Sequence, residues 1–205
     1  MVAITEDIIR DIDNSLCASC FDVLEHTLNG ERLPKRTLLK HLISKDVSCP
    51  FFVTWMTTMP NGEELRGCIG TLSPEPISRL GHYVKMSAFN DPRFEPIVAG
   101  ELPRLSCGLS LLHSYEKAKH RDDWEIGTHG IIVEFDYNGR SYSATYLPEV
   151  AKEHNMTKDV AIKQLIRKAG FRGEINEKLL SSVEVTRYQS TKLRMTYSEY
   201  KLLDI

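Results

Sequence analysis

Residues 51–72 carry the sequence FFVTWMTTMPNGEELRGCIGTL, and this stretch decides the class of the fold. It begins with Phe51-Phe52-Val53-Thr54-Trp55, a run of aromatic and β-branched side chains that favours an extended strand. Pro60-Asn61-Gly62 is a turn signal, and a second strand-like run covers Leu65–Leu72. Two strand-like runs joined by such a turn predict a β-hairpin.

Further strand signals follow along the chain. Leu105–Tyr115 is predicted to be a strand. Polar and apolar residues alternate along Ser182–Arg187, which predicts the last strand of the chain. Gly130–Phe135 and Ser141–Tyr146 flank Asn138-Gly139, which is the strongest short hairpin signal in the chain.

Helix signals surround these strands. Thr5 is a good N-cap for a first helix that runs to Asn29-Gly30, and Glu31–Ser48 is predicted to be a loop with a short amphipathic piece. Ser73-Pro74-Glu75 is predicted to begin a second helix, which ends before Asp91-Pro92 because proline disfavours helix in the residue before it.

A third helix is predicted between a cap at Thr157 and a stop at Gly170. Hairpin connections dominate over crossover connections, so the predicted class is α+β with a mainly antiparallel sheet flanked by helices. A chain of 205 residues suits a single domain over residues 1–205, or two lobes that share an interface at an unclear boundary.

Composition excludes several classes of protein. The chain is 41% hydrophobic and 26% charged with a net charge of -2, which gives no electrostatic case for nucleic acid or an anionic membrane. No apolar run approaches the roughly 18 residues of a membrane-spanning helix. The first residues lack the pattern of a signal peptide, so a cytoplasmic or nuclear location is expected, with the five cysteines reduced.

Cys68 marks the candidate functional site, within Arg66-Gly67-Cys68-Ile69-Gly70. Side chains alternate between the two faces of a strand, so Leu65 and Ile69 are predicted to face the core. Arg66 and Cys68 are then predicted to share the opposite face. A thiol beside an arginine and two glycines is a candidate nucleophile or covalent carrier.

Two interpretations of this motif stay open. In the functional one, Cys68 and Arg66 are catalytic residues, while Gly67 and Gly70 keep the backbone bare and let a ligand approach. In the structural one, Cys68 is a small buried residue and the glycines serve the packing of helix against sheet.

The Cys68 motif extends into a longer resemblance. Together with other stretches it is similar to the signature of the AMME chromosomal region protein family; these stretches are residues 65–71, 87–94, 101–105, 123–131 and 144–151. The resemblance implies a two-lobed α+β architecture with a groove between the lobes. The family's biochemical activity is not established: animal members are discussed as regulatory proteins, and related microbial domains resemble partners of Memo-type and radical-SAM proteins.

Three further residue patterns have functional interpretations. Asp91 and Arg93 flank a proline, where they either fix a turn or leave Arg93 to line an anion site. His129 lies in a family motif, as a groove-lining residue or as a turn histidine with satisfied hydrogen bonds. Cys17-x-x-Cys20 has no second pair of metal-ligand type, so no metal site is predicted.

Two functions therefore remain as hypotheses. The first is an interaction or regulatory module whose groove near Cys68 binds a protein or a small molecule of unknown identity. The second is a cysteine-dependent enzyme that uses Cys68 on a small or modified substrate. The sequence lacks the glycine-rich loops of nucleotide-binding proteins, and no cofactor is predicted.

Overall fold

The computed structural model describes residues 2–30 and 36–203. The α-helices within these ranges are α1 Glu6–Arg10, α2 Ser15–Asn29, α3 Thr37–Ser44, α4 Leu80–Phe89, α5 Pro148–Glu153, α6 Lys158–Lys168, α7 Glu177–Ser182 and α8 Tyr197–Leu202. The strands are β1 Val2–Ala3, β2 Val47–Met59, β3 Gly62–Pro76, β4 Leu105–Lys117, β5 Gly130–Tyr137, β6 Arg140–Tyr146 and β7 Glu184–Thr196. Short 3₁₀ segments cover Ile77–Arg79 and Ala99–Arg104.

The chain packs into two compact units. Unit 1 comprises residues 1–112 and 191–205, and unit 2 comprises residues 113–190. Strands β4 and β7 each contribute residues to both units, because the division falls within these strands. The assignment of residues 1–205 to a single domain and the groove between two lobes stay predictions. None of the helices in the described ranges is long and apolar enough to cross a membrane.

The predicted hairpin at residues 51–72 is confirmed, and it organises unit 1. Strands β2 and β3 pair antiparallel, and the pairing ends at Met59 opposite Gly62. Gly62 has φ 132°, a left-handed value that suits glycine. Strand β4 pairs antiparallel with β2, and β1 pairs in parallel with the start of β2. Helices combine with a mixed, mostly antiparallel sheet, which confirms the α+β class.

The core of unit 1 lies on one face of β2. Phe51, Val53 and Trp55 alternate along the strand and are fully buried. Trp55 packs edge-on against Phe21 of α2, with ring centroids 5.3 Å apart. Its indole Nε1 donates a hydrogen bond to Ser87 Oγ of α4 at 3.1 Å, so the strand is bonded to the helix behind it.

Unit 2 contains the second predicted hairpin. Asn138 and Gly139 have φ values of 49° and 74°, the left-handed conformations that a tight hairpin turn requires, and they join β5 to β6. On the other edge of β5, Val133 lies opposite Val185 of β7. Thr157 caps α6 by accepting the N–H of Val160, which confirms the predicted N-cap.

Two predicted helices differ from the structure. The first breaks into α1 and α2, because Asp13 accepts the N–H of Ser15 and starts α2 anew. The second helix exists and ends at Phe89, before Asp91-Pro92 as predicted, but its predicted start at Ser73 is wrong: β3 continues to Pro76, and Cys49 of β2 lies opposite Glu75. Pairing with β2 overrides the local capping pattern at Ser73. The predicted loop after Gly30 contains α3, and residues 31–35 lie outside the described residues.

Candidate functional site

Cys68 lies in the middle of β3, directly opposite Thr54 of β2. Its side chain is partly exposed, whereas the other free cysteines (Cys17, Cys20, Cys49 and Cys107) are buried. The hydroxyl of Thr54 donates to the Cys68 sulfur at 3.2 Å. The thiol is therefore held by a neighbouring hydroxyl in a residue that stays partly exposed.

The side chains of β3 do not alternate strictly between the two faces of the sheet from Leu65 to Cys68. Trp55 lies opposite Gly67, while the next residue of β2, Met56, lies opposite Leu65. Arg66 is therefore the extra residue of a β-bulge, and its face cannot be read from alternation. Leu65, predicted to face the core, is 38% exposed, so that prediction is wrong.

Arg66 is engaged by acceptors that the sequence did not indicate. Its guanidinium donates to both carboxylate oxygens of Glu101, at 2.7 and 3.1 Å, and to the carbonyl of Glu95 at 2.7 Å. Burial by itself would raise the pKa of Glu101, but the bonds from Arg66 and from the N–H of Val98 lower it below its ordinary value. These contacts link the bulge to the 3₁₀ segment that contains Glu101. The catalytic role of Arg66 stays a prediction.

Asp91 and Arg93 cover the open edge of β3 at Cys68. Within the described chain, β3 has β2 as its strand neighbour, so its other edge needs partners for its backbone groups. Asp91 Oδ2 accepts the N–H of Cys68 at 2.9 Å, and Arg93 Nη2 donates to the Cys68 carbonyl at 3.1 Å. The two side chains thus replace the donor and acceptor of a neighbouring strand.

The Asp91–Arg93 pair is also bonded internally. Arg93 donates to the carboxylate through Nε at 2.9 Å, through Nη2 at 2.7 Å and through its backbone N–H at 3.1 Å. These bonds, followed by the N–H of Cys68, hold the pKa of Asp91 well below its ordinary value although the side chain is only 2% exposed. The predicted turn-fixing pair is confirmed.

Arg93 is the guanidinium that contacts Cys68, through the backbone carbonyl. The hydrogen bond to Asp91 is the main cause that raises the pKa of Arg93, and Nη2 of Arg93 also donates to the backbone carbonyl of Cys68. The Arg93 side chain is 53% exposed. A partly exposed cationic group therefore contacts the backbone of Cys68, where the sequence predicted Arg66 as the neighbouring cation. Whether Arg93 lines an anion site stays a prediction.

Close packing explains why both positions of the motif, Gly67 and Gly70, carry glycine. A Cβ on Gly67 would lie 2.1 Å from the carbonyl oxygen of Ser87 in α4. A Cβ on Gly70 would lie 2.3 Å from the carbonyl oxygen of Phe51. The bare backbone at these positions is needed for β3 to approach its neighbours, and the predicted ligand approach stays a hypothesis.

His129 belongs to unit 2 and closes a turn there. Its Nδ1 accepts the N–H of Glu125 at 3.0 Å. This hydrogen bond accounts for the histidine locally, and its role in a groove stays a prediction. Among the described residues, no cluster of His, Cys, Asp or Glu could hold a metal ion.

No sequence pattern indicated Thr54 as a site residue, or the contacts of Asp91 and Glu101. Threonine is common in strands because it is β-branched, so the presence of Thr54 in β2 gave no indication of a functional role. The proximity of Asp91 to Arg93 in the sequence is visible from the chain alone. Its hydrogen bond to Cys68, 23 positions away, depends on the folded chain. The folded chain thus brings together the partly exposed Cys68, the hydroxyl of Thr54 that donates to its sulfur, and the Asp91–Arg93 pair that bonds its backbone.

Comparisons with known proteins place this arrangement in a family. The family model described as AMMECR1 matches residues 17–193. An uncharacterised protein of Arabidopsis thaliana is 44% identical over 92% of this chain and 87% of its own length. An uncharacterised protein of Schizosaccharomyces pombe is 38% identical over 90% of this chain and 93% of its own length.

The fold also matches a solved structure. The crystal structure of an uncharacterised protein from Pyrococcus horikoshii superposes with a TM-score of 0.65 over 93% of each chain, at 22% sequence identity. That likeness concerns the fold alone. The family model extends across both the Cys68 motif and the Asp91–Arg93 pair, and the biochemical function of its members is unknown. The chain belongs to the AMMECR1 family.

Proposed function

We propose that this chain is an interaction module that binds a partner on the surface around Cys68 and Arg93. The observation that carries the proposal is the fixed geometry of a partly exposed thiol beside a guanidinium that is 53% exposed. Asp91 holds the backbone on one side of the thiol and Thr54 holds the sulfur on the other. A surface that is already ordered binds at a lower entropic cost than a mobile one.

The composition of the site favours binding over catalysis. Arg66 is engaged by Glu101 and Glu95, and His129 is engaged in its own turn in unit 2. A base within hydrogen-bond reach is one common means of activating a nucleophile. The group that reaches the Cys68 sulfur is instead the hydroxyl of Thr54, a donor.

The experiment compares adducts at two positions. The partner is first identified by crosslinking and mass spectrometry and then purified, so that affinity is measured with two components. Cys68→Ser should retain the affinity, because a serine keeps the shape of the surface. A polyethylene-glycol maleimide on Cys68 should weaken binding by at least about tenfold, because the adduct covers the surface.

The matched control carries the same adduct elsewhere in unit 1. Ser44→Cys in the Cys68→Ser background presents an exposed thiol at the end of α3. Ser44 precedes β2, and within β2 the stretch from Val47 to Thr54 spans about 23 Å at 3.3 Å per residue. An adduct at position 44 should leave binding unchanged. Equal effects at both positions, no effect at Cys68, or the lack of any stoichiometric partner would each contradict the proposal.

A second function, chemistry at Cys68, is favoured by one specific contact. The Thr54 hydroxyl donates to the sulfur, and such a bond stabilises the thiolate, which is the nucleophilic form. In this hypothesis Cys68 attacks a small or modified substrate, and Arg93 compensates the negative charge.

Alkylation rates separate the two functions. If the thiol is activated, iodoacetamide at neutral pH should modify Cys68 at least about tenfold faster than the control thiol at position 44. Thr54→Val should then slow the reaction by about fivefold, which corresponds to the loss of one hydrogen bond of about 1 kcal/mol. A rate equal to the control, or no effect of Thr54→Val, would rule out an activated nucleophile and leave the binding function in place.

A further inference from the structure

Strand β6 forms one end of the sheet in unit 2, and its outer edge is open. The strands follow the order β7, β5 and β6 there, so β6 has β5 as its strand neighbour within the described chain. Ser141 and Ser143 of β6 are exposed. A strand edge with unpaired backbone groups can pair with a further strand.

The turn before β6 fixes which of its backbone groups point outward. A two-residue turn joins β5 to β6, and the pair that closes such a hairpin exchanges both backbone hydrogen bonds. Bonded and non-bonded pairs alternate from there, so Ser141 and Ser143 direct their N–H and C=O groups away from β5. Thr145 follows in the same series, and its carbonyl accepts a bond at 2.9 Å from Lys168 Nζ, which agrees with this orientation.

The outward groups of the two serines are unpaired in the part of the chain that the structure describes. Among residues 2–30 and 36–203, no hydrogen bond reaches the backbone N–H or C=O of Ser141 or Ser143 on this side. The open edge of β3 differs, because side chains replace the missing strand there. The edge of β6 therefore remains available for pairing.

One face of the sheet beside this edge is acidic. Glu134 lies directly between Ser143 of β6 and Glu184 of β7, in one row across the three strands. Asp136 and Ser141 lie opposite each other in the neighbouring row of the same face, because side chains two residues apart share a face. These five residues are exposed and line a depression of about 550 Å³. The serines are short, so the carboxylates of β5 lie directly behind the open edge.

The acidic face carries charges that are not compensated. Glu134 and Glu184 are like charges in directly opposite positions, which is an unfavourable pairing. Lys117 compensates Glu184 through a salt bridge at 2.8 Å. Within the described ranges, Glu134 and Asp136 form no salt bridge, and Asp136 accepts a hydrogen bond at 2.6 Å from Ser141 Oγ. Two carboxylates near the open edge thus lack a cation.

The other face of β6 is aromatic. Tyr142, between the two serines, stacks on Phe135 with ring centroids 5.0 Å apart and meets Phe171 edge-on at 5.6 Å. Tyr142 is partly exposed. An apolar side chain of an added strand would cover the remaining surface of this ring.

We propose that the edge of β6 binds an extended segment of a partner protein in which two basic residues flank an apolar one. The segment adds to the sheet as an antiparallel strand, and the backbone of its basic residues pairs with Ser141 and Ser143. Their side chains reach Glu134 and Asp136 over the short serines, since the added strand and β5 are two strand spacings, about 10 Å, apart. The apolar residue lies beside Tyr142.

Charge selects this occupant over a second copy of the chain. Two copies of β6 paired antiparallel would bring their acidic faces side by side. Glu134 and Asp136 would then approach their equivalents with no cation between them, whereas a basic segment neutralises both.

Hydrogen exchange on the whole chain tests the geometry and the binding. In the free protein the amides of Ser141 and Ser143 should exchange rapidly, whereas those of Tyr142 and Ala144, which bond to β5, should be protected. The probe is the acetylated and amidated peptide Thr-Lys-Ile-Lys-Thr, with a dissociation constant on the order of 1 mM from NMR chemical shifts. At about twenty times that concentration it should slow exchange of the two serine amides by about tenfold or more.

Modified peptides separate strand addition from charge attraction. In the proposed register the N–H of each lysine points to β6, and the N–H of the isoleucine points away. N-methylation of both lysines should weaken binding by at least about tenfold, whereas N-methylation of the isoleucine should change it by less than about twofold. Replacing both lysines with glutamate should also weaken binding by at least about tenfold, because the acidic face repels the peptide.

Variants of the chain provide matched controls. Ser143→Pro removes one outward N–H and should weaken binding by about tenfold or more; proline is tolerated at an edge position whose N–H faces solvent, and thermal unfolding checks that the fold is kept. Glu134→Gln should weaken binding about fivefold, as expected for the loss of one exposed ion pair. Glu153→Gln removes the same charge at the exposed end of α5, outside the acidic face, and should have no effect.

Four results would overturn the proposal. They are the absence of saturable shifts, undiminished binding of the peptide with N-methylated lysines, equal effects of Glu134→Gln and Glu153→Gln, and slow exchange of the two serine amides without peptide. If that slow exchange appears only at high protein concentration, the occupant is a second copy. Cys68→Ser should be silent in all of these measurements, so a failure here is distinguishable from a failure of the function proposed for unit 1.

Discussion

Replacing Asp91 tests the claim that its carboxylate organises the edge of β3. The side chain is 2% exposed and accepts hydrogen bonds from the N–H of Cys68 and from three donors of Arg93. Asp91→Ala removes all of these acceptors, so the Cys68 N–H loses its partner on the open edge of the strand. Asp91→Asn keeps an oxygen of the same shape but removes the charge.

The magnitude follows from these contacts. Breaking a buried ion pair by removing one partner costs about 3–5 kcal/mol when the other charge stays buried. Arg93 is 53% exposed and regains water, which reduces the cost, while the unpaired N–H of Cys68 costs about 1–3 kcal/mol. We expect Asp91→Ala to lower the free energy of unfolding by about 3 kcal/mol and Asp91→Asn by about half as much. For a chain of this length, 3 kcal/mol corresponds to a fall in Tm of about 6–12 °C.

The pH dependence gives a second readout. The pKa of Asp91 is lowered by folding, so its contribution to stability is fully present above the ordinary carboxyl pKa of about 3.9. That contribution is lost as the pH falls below this value towards the lower pKa of the folded state. The difference in unfolding free energy between the wild type and Asp91→Asn should therefore be constant at neutral pH and shrink below about pH 4.

Urea denaturation at several pH values measures both effects. Asp159→Asn is the control, because Asp159 is 49% exposed in an i,i+4 pair with Lys163 and should change stability by no more than about 0.5 kcal/mol. If Asp91→Ala costs no more than this control, or if its effect does not depend on pH, the carboxylate does not hold the edge of the strand.

Other predictions concern the thiols, the glycines and the C-terminal helix. In the native protein, a disulfide reagent should titrate one thiol rapidly, and Cys68→Ser should abolish that signal; the buried thiols are protected, and burial raises the pKa of Cys49 to about 12. Rapid titration of more than one thiol would contradict this burial. Gly67→Ala should lower the free energy of unfolding by about 1–3 kcal/mol, because the new Cβ would meet the Ser87 carbonyl, whereas Gly100→Ala, with open space around it, should change it by less than about 0.5 kcal/mol. Equal stabilities of the two glycine variants in thermal unfolding would refute the packing argument. Tyr200→Phe should cost about 1.5–3 kcal/mol by chemical denaturation, because the hydroxyl donates to the buried carboxylates of Asp22 and Glu25, at 3.0 and 3.1 Å. Tyr137→Phe, at a tyrosine that is 44% exposed, is the neutral comparison.

Several elements of the fold could be predicted because their causes are local. The turn at Asn61-Gly62, the turn at Asn138-Gly139 and the cap at Thr157 depend on the residues within them and beside them. The motif around Cys68 was visible for the same reason, since its residues are adjacent in the chain. These signals were enough to predict the α+β class.

The sequence by itself therefore determined the strands, the turns and the position of the thiol. Only the tertiary structure decided which cation contacts Cys68. Arg66, at the bulge, donates to Glu101, while Arg93, 25 residues further along the chain, donates to the Cys68 carbonyl. It also decided that Ser73 belongs to a strand, since pairing of β3 with β2 outweighs a capping pattern. Local preferences are worth tenths of a kcal/mol to about 1 kcal/mol per residue, and hydrogen bonds between distant segments exceed them once the core has formed.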